Sequence, residues 1–402
     1  MSATSRTEPM PLRVLVVGAG VGGISVARGL LRDGHDVAVF DQRPEITAGG
    51  GAVTIWPNGA TVLAQLGVDM AGAGQLLSSV QVLTSTGHPI ATLDLTTITD
   101  LLGEPVRMVP RRVLLERLLD GFPVDRIRCG VRAVAAVDTR HGVRVDFDDG
   151  TSAEGDVVIG ADGLHSAIRR IVGAPHAKPT GWCSWQGLVS LPEVTDERVA
   201  LMMIGEHGNL GLWPAGGFAV QWWFDLPWSP DFVRPQRPIE MIRSHFAGWS
   251  DVVDRLLATL TDDDLAGSPY PHFRHPIPRA GRGAVTLLGD AAHTMPPTLA
   301  QGTNQALLDT MVLRKALREF HHAPNALRWY ENTRRRNVKA VSWVTTQQVS
   351  RSESMLRPAG MISDRLMTWA LATFLRSVSH HRMSAAISRE LKAGALTAGL
   401  RS

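Results

Sequence analysis

Three clusters of glycines and carboxylates mark where this 402-residue chain could do chemistry. The first, Gly18-Ala19-Gly20-Val21-Gly22-Gly23, fits Gly-x-Gly-x-x-Gly, and Asp41 closes the strand that follows. In such a turn Gly18 permits the tight bend, Gly20 lets the backbone approach a pyrophosphate, and Gly23 lets a helix pack closely. Helix N-terminal amides then face the phosphates, and Asp41 can accept from ribose hydroxyls. That chemistry is recognition of an ADP moiety, and alone it does not separate FAD from NAD. The second cluster is the decamer Gly160-Ala161-Asp162-Gly163-Leu164-His165-Ser166-Ala167-Ile168-Arg169. It sets a carboxylate beside a sharp turn, which suits a ligand offering hydroxyls or ammonium groups and equally suits a strand-end turn capped by Asp162. The third is Gly289-Asp290-Ala291-Ala292-His293, followed by Pro297, Gln301-Gly302, Asn304 and Asp309. Asp290 is placed to bond a ribityl hydroxyl or to cap a helix. The amides of residues 301–304 open a helix whose dipole favours electron density at the N1 and O2 locus of a reduced flavin.

The elements that must position these clusters are readable from periodicity. Arg13 to Val17 is a β-branched apolar run, residues 24–32 read as a helix, and residues 37–40 form a second buried strand: the start of a parallel α/β unit. Residues 57–66 look helical and stop at Gly67. From Val80 the period changes to two, through a turn at Gly87-His88-Pro89 into residues 91–95, as in a hairpin exposed on one side. A helix is expected over residues 111–119 and strands over 131–137 and 143–147, joined at His141-Gly142. A buried strand at 157–160 returns the chain to the first unit. A second excursion, residues 180–278, carries most of the tryptophans. Strands are expected near 187–191, 200–204, 209–214 and 218–224, and helices over 238–246 and 252–259. Another buried strand at 285–288 precedes helices from Asn304 to the C-terminus.

Composition narrows the function classes. Apolar residues make up 44% and charged residues 20%, as in an ordinary globular enzyme too long for one core. The net charge of +3 comes from 41 basic and 38 acidic residues, without the one-sided excess of a nucleic-acid binder. The run Arg334-Arg335-Arg336 with Lys339 reads as a solvated helix face. Cys129 and Cys183 allow one bridge at most, so a reducing, cytoplasmic location is the default. The first dozen residues read as a short disordered leader without a signal peptide. The segment 366–375 is about half the length a spanning helix needs, so an amphipathic helix packed on the protein is expected, and no membrane span.

In order and context, the three clusters together resemble the class A FAD-dependent aromatic monooxygenases, the family of 4-hydroxybenzoate hydroxylase, salicylate hydroxylase and the tetracycline-inactivating monooxygenases. The matching motifs run from Gly18 to Asp309. The resemblance implies an α/β fold of two domains: a Rossmann-like FAD-binding domain with an interleaved antiparallel-sheet substrate domain and C-terminal helices. The FAD-binding domain would comprise residues 1–79, 105–179 and 279–360, the substrate domain 80–104 and 180–278, and a C-terminal helical segment 361–402. It further implies that Gly18, Gly20, Gly23 and Asp41, with Arg43, hold the ADP half. Arg111 would contact the flavin, and Asp162 would serve both FAD and NAD(P)H. Asp290, Pro297, Gly302 and Asn304 would surround the ribityl chain and ring. The activity implied is a monooxygenase that consumes O2 and takes NADPH or NADH as a transient reductant. It would hydroxylate or epoxidise an aromatic or conjugated small molecule through a flavin C4a-hydroperoxide. Two positions depart from the pattern: Ala300 stands where the family usually has Gly, which bears on the loop beside the ring, and Thr310 where a small Ala is common.

The protein then has chiefly to orient the substrate and exclude water. Ala219, Gln221 and Trp223 share one face of their strand, and Gly211 and Trp213 share one face of theirs, so Trp213, Gln221 and Trp223 are the substrate candidates; which face meets the flavin is not readable. No catalytic acid or base is assigned. His293 reads as structural, and His245, His272 and His275 lack metal-ligand spacing. A flavin-dependent halogenase keeps the fold, but Trp182-Cys183-Ser184-Trp185 does not supply the Trp-x-Trp-x-Ile-Pro signature of that group. A flavin-binding module without turnover is the other alternative. Neither substrate identity nor oligomeric state is fixed by these residues.

Overall fold

The computed structural model describes residues 10–140, 142–192, 198–276, 281–349 and 362–399. Arg13–Val17 forms the middle of a five-stranded parallel sheet. It pairs on one side with Asp36–Asp41, which pairs with Ile127–Cys129. On the other side it pairs with Val157–Gly160, which pairs with Val285–Leu287. Parallel strands covered on both faces read as unbroken apolar runs, and Val157–Gly160 is buried throughout. Helices Val21–Arg32 and Gly302–Glu319 cover one face through Ile24, Leu30, Leu308, Met311 and Val312. On the other face an antiparallel meander, Ala133–Thr139, Gly142–Phe147 and Ser152–Gly155, packs Val143, Val145 and Phe147 on Leu15, Val17 and Val158.

The second large layer is a seven-stranded sheet in the order Tyr270–Arg274, Lys178–Ser190, Ala219–Pro227, Asn209–Gly216, Val199–Ile204, Ser79–Thr84, Pro89–Asp94. Its neighbours are antiparallel except for Val199–Ile204 beside Ser79–Thr84, where strands from the two excursions meet. Helices Pro238–Phe246 and Asp251–Thr259 close one face over Trp185, Trp222 and Phe224. The opposite face, with Val80, Ala200, Trp213, Ala219 and Trp223, packs on Trp56 and Met108. These belong to the flank of a small sheet of Ala52–Ile55, Arg107–Pro110 and Gln75–Leu76 that links the two layers.

The segment 366–375 lies inside helix Asp364–Val378, which buries Thr368, Ala372, Leu375 and Val378 and leaves Leu366 and Trp369 outside. It is anchored on the sheet edge by Asp364, which accepts from Thr92 N at 2.9 Å, and Thr368, whose hydroxyl accepts from Asp94 N at 3.1 Å. No helix among the described residues is long and apolar enough to cross a membrane. Both cysteines are free thiols. Residues 1–9 of the expected leader, the turn residue His141 and the expected boundaries at 278/279 and 360/361 lie outside the described residues.

Candidate active site

The first glycine cluster follows the central parallel strand. Gly18 has φ 109°, a left-handed value that glycine tolerates, and its N–H donates to Phe40 O at 2.6 Å, tying the turn to the next strand. A Cβ on Gly18 would lie 2.4 Å from Ala161 O, and one on Gly23 only 1.8 Å from Gly18 O, so both positions are closed to side chains. Gly20 differs: a Cβ there meets nothing within 4 Å. It opens helix Val21–Arg32 without a side-chain cap, so the first amides are left for other partners. Asp41 ends the adjoining strand. Its carboxylate accepts from Ala19 N at 2.6 Å and from Arg43 N, Nε and Nη2 at 2.8, 2.9 and 2.9 Å. Burial alone would raise its pKa, but these donors, Arg43 above all, bring it below the ordinary value. With four donors already on the carboxylate, a ribose hydroxyl reaches Asp41 only by sharing with or displacing Arg43, which makes Arg43 part of the same cradle.

In the second cluster Asp162 accepts from Ser166 Oγ at 2.5 Å and from the amides of Ala167 and Ile168 at 2.6 and 3.2 Å. The carboxylate thus caps the short helix Ala167–Ile171, as the strand-end alternative requires, and burial raises its pKa. Arg169, last residue of the decamer, is buried and donates to Pro175 O, Ala291 O and Ala292 O at 2.6, 2.9 and 2.9 Å. It bolts the second cluster to the third, a role that sequence reasoning missed although the residue stands in the motif.

The third cluster is held from beneath. Asp309, fully buried in helix Gly302–Glu319, accepts from Gly289 N at 2.9 Å, His293 Nε2 at 2.6 Å and Arg334 Nε at 2.6 Å. Desolvation opposes its charge, but His293 and Arg334 outweigh it and hold the carboxyl down to about 2. Arg334 also donates to the backbone and side-chain oxygens of Gln305 at 3.1 and 2.7 Å. This corrects the expectation of a solvated basic face: Arg335, Arg336 and Lys339 are exposed, whereas Arg334 turns inward because a buried carboxylate needs a cation. His293 is itself buried, so its bond to Asp309 lies within the base of the cluster. Thr310 is buried and donates to Ala306 O at 3.3 Å.

Around this base the cradle opens. Asp290 is exposed, and a Cβ on Gly302 would sit 3.8 Å from its Oδ1. Pro297 is exposed at the head of a short turn, Pro297–Leu299, closed by Ala300 in the left-handed region at φ 48°. A non-glycine residue there carries strain of about 1 kcal/mol, which the surrounding loop must offset. Helix Gly302–Glu319 starts without a side-chain cap, and Gln301 Nε2 is buried without a partner. Arg111 sends its N–H to Gly51 O at 3.0 Å, while its guanidinium has no hydrogen-bond partner among the described residues. Burial lowers its pKa, and the nearby carboxylate of Asp290 opposes that. Asn304 does not open to the cradle. Its amide donates to Thr54 O and Ala300 O, both at 2.9 Å, and accepts from Trp56 N at 2.9 Å, so its side chain is a staple between loop and strand.

Of the substrate candidates, Gln221 is likewise occupied: Oε1 accepts from Ala52 N at 2.5 Å and Nε2 donates to Trp222 O at 3.0 Å, with the residue 2% exposed. That bond shows that the face of Gln221 and Trp223 looks toward the cradle. Trp213 is buried against Trp223, ring centroids 5.7 Å apart, and Trp223 alone of the three is half-open. Its indole lies over Gly211, where a Cβ would come within 2.0 Å of the ring. Among the histidines, His272 and His275 are buried and His245 exposed. No group of three or more His, Cys, Asp or Glu among the described residues could hold a metal.

The arrangement fits a flavin dinucleotide: open space before Gly20, two uncapped helix starts, and an unpartnered cation at Arg111 beside Asp290. A family model described as FAD binding domain matches residues 11–345. The FAD-dependent urate hydroxylase of Klebsiella oxytoca is 32% identical over 332 residues, covering 80% of this chain and 86% of the relative. The 3-amino-4-hydroxybenzoate 2-monooxygenase of Streptomyces cremeus is 34% identical over 334 residues, covering 80% and 83%. The crystal structure of Klebsiella pneumoniae HpxO complexed with FAD and uric acid superposes with a TM-score of 0.83 at 27% identity, over 91% of this chain and 97% of the other.

Proposed function

The chain belongs to the FAD binding domain family and is an FAD-dependent monooxygenase of class A, and from that premise we propose that it places one oxygen atom on an aromatic or conjugated small molecule, by hydroxylation or epoxidation, using O2 and NADPH or NADH. The bound flavin supplies an electrophilic oxygen once reduced and exposed to O2. Gly18, Gly20 and Gly23 with Asp41 and Arg43 hold the ADP half. Asp290, Pro297, Gly302 and Arg111 border the ribityl chain and ring, and Asn304 acts through the loop it staples. Asp162 contributes by shaping the strand-end turn beside Gly18. The five-stranded sheet with its helices, from segments 1–79, 105–179 and 279–360, is the cofactor domain, and segments 80–104 and 180–278 cover the substrate. Arg111 gives the cradle a fixed positive charge, and Trp223 gives the substrate an aromatic wall that excludes water. A reducing cytoplasmic setting suits the two free thiols.

The observation that carries this reading is the convergence of Asp290, Arg111 and the uncapped start of helix Gly302–Glu319 beneath the Trp223 face. The test is oxygen uptake by the purified yellow protein with NADH or NADPH against phenols, indoles, polyketide aromatics and terpenoids, with peroxide release measured alongside. One class of compound should stimulate uptake with little peroxide and gain one oxygen atom from labelled O2. Uptake that no compound stimulates, or label that never enters a product, overturns the proposal.

A further inference from the structure

The alternation that sets Gln221 and Trp223 on the cradle side of the seven-stranded sheet also brings Asp225 to that side. Asp225 sits in a polar row. Its cross-strand partners are Asn209 and Ser184, and Ser184 is in turn the partner of Tyr270, which lies within electrostatic reach of Arg111, as Asp290 does. Ser184 Oγ lies 2.5 Å from Asp225 Oδ1 and 2.6 Å from His272 Nε2. A hydroxyl has one proton to give. With it on the carboxylate, His272 Nε2 must be the donor to Ser184, leaving Nδ1 bare, and Nδ1 is a buried nitrogen without a partner. Two donors in series therefore end on Oδ1. Oδ2 has no partner among the described residues, yet it is not one of the atoms sealed from solvent, although the side chain is only 10% exposed. A carboxylate set this deep in a polar row, with one oxygen fixed and the other open, is placed to meet a further donor.

We infer that Asp225 is the substrate's polar contact, with Oδ2 accepting a hydrogen bond from a phenolic hydroxyl or ring N–H of an aromatic held against Trp223. This rests on the monooxygenase reading above. The contact draws the proton off the heteroatom and pushes electron density onto the ring carbons ortho and para to it, where an electrophilic oxygen attacks. It also selects: an anionic carboxylate substituent would meet Asp225 as a like charge. The substrate class is therefore a hydroxylated or N–H aromatic without a carboxylate at that end. Burial raises the Asp225 carboxyl to about 7, opposed by its bond from Ser184. The titratable groups packed around it are the His272 ring, held down to about 4 by burial, and the Cys183 thiol, pushed up to about 12. Neither changes charge near neutrality; Glu331 is also raised to about 7 by burial but bonds Thr286 and Arg328 in the parallel layer, so it is a step lost on substitution of Asp225 that reports Asp225.

The experiment titrates the FAD-loaded enzyme with 1-naphthol, with 1-fluoronaphthalene, which matches its size without a donor, and with 1-naphthoate, following the flavin absorbance. Wild type should bind 1-naphthol at least about 10-fold more tightly than either, as a hydrogen bond to a charged group warrants, with the advantage growing as pH rises through about 7. Asp225→Asn should keep its FAD and lose both the advantage and the pH step. Ser184→Ala should keep the advantage and move the step to higher pH, since the carboxylate loses a donor. Equal binding of 1-naphthol and 1-fluoronaphthalene by wild type, or an undiminished preference in Asp225→Asn, overturns the inference. A protein that holds FAD and consumes O2 with some aromatic but shows no such preference refutes the Asp225 assignment alone, whereas a protein without FAD refutes the reading beneath it.

Discussion

Helices that lie on the seven-stranded sheet begin differently from those that begin around the cradle. Leu95–Leu102 is capped by Asp94, Asp251–Thr259 by Ser250 and Asp364–Val378 by Ser363, while Asp262 accepts from Ile239 N at the start of Pro238–Phe246. Val21–Arg32, Arg111–Leu119 and Gly302–Glu319 have no side-chain cap. Ala167–Ile171 sides with the first group, because Asp162 and Ser166 fill its amides. A missing cap forgoes about 1 kcal/mol, so the cradle is held together by other means, chiefly the ion pairs beneath it. One region uses its polar groups to stabilise the fold and the other leaves them for a ligand.

Three measurements can break or sharpen that contrast. The largest effect should come from the base of the cradle. Asp309→Asn strands His293 and Arg334 and should cost about 3–5 kcal/mol of unfolding free energy in denaturant titrations. Because Asp309 is held down to about 2, its contribution is complete above the ordinary carboxylate range and is lost as pH falls through about 2. Wild type should therefore lose more stability than the Asn variant between pH 4 and 2; parallel losses would show that the pair is not what supports the loop. Next comes Gly20→Val. Its backbone, φ −80° and ψ −176°, is open to any residue, so apoprotein stability should change by less than about 1 kcal/mol. FAD affinity should fall at least about 100-fold as the side chain fills the space before the turn. Full yellow colour in that variant would remove the distinction between the two groups of helices. The smallest effect is expected at a capped end: Asp94→Ala, losing the bonds from Thr96 N and Thr97 N at 2.8 and 3.1 Å, should cost about 0.5–2 kcal/mol without loss of flavin. Flavin loss there would show that the caps matter to the cradle after all.

The parallel core was legible because Arg13–Val17, Val157–Gly160 and Val285–Leu287 are short apolar runs bounded by glycine or charge, a pattern that a fully buried strand demands. Ala52–Ile55, Arg107–Pro110 and Tyr270–Arg274 escaped notice: all are brief, the last two also carry charge and proline, and they are strands only because tertiary neighbours offer them an edge. The same limit governs the site. Glycine positions reveal themselves through backbone geometry, but whether an amide side chain is free depends on partners far along the chain. Asn304 is occupied by Thr54 and Trp56, and Gln221 by Ala52. Arg334 looked solvated beside two other arginines, and only the buried Asp309 turns it inward. Asp225 was within reach, since it continues the alternation of Gln221 and Trp223, but an acid in a tryptophan-rich strand gives no sign of which oxygen is open.

The parallel sheet is assembled from residues 13–17, 36–41, 127–129, 157–160 and 285–287, so after its first two strands the chain leaves this layer and returns to it three times. During synthesis the strand at 13–17 has only its neighbour at 36–41 until residue 160 emerges, and the strand at 157–160 keeps a bare edge until residue 287 does. Three excursions, between residues 41 and 127, 129 and 157, and 160 and 285, must close before the order of strands is complete, which makes assembly slow and leaves adhesive edges open to chaperones or to aggregation in the meantime. Expression yield at a given temperature should therefore depend more on how quickly those returns are made than on the strength of the finished core.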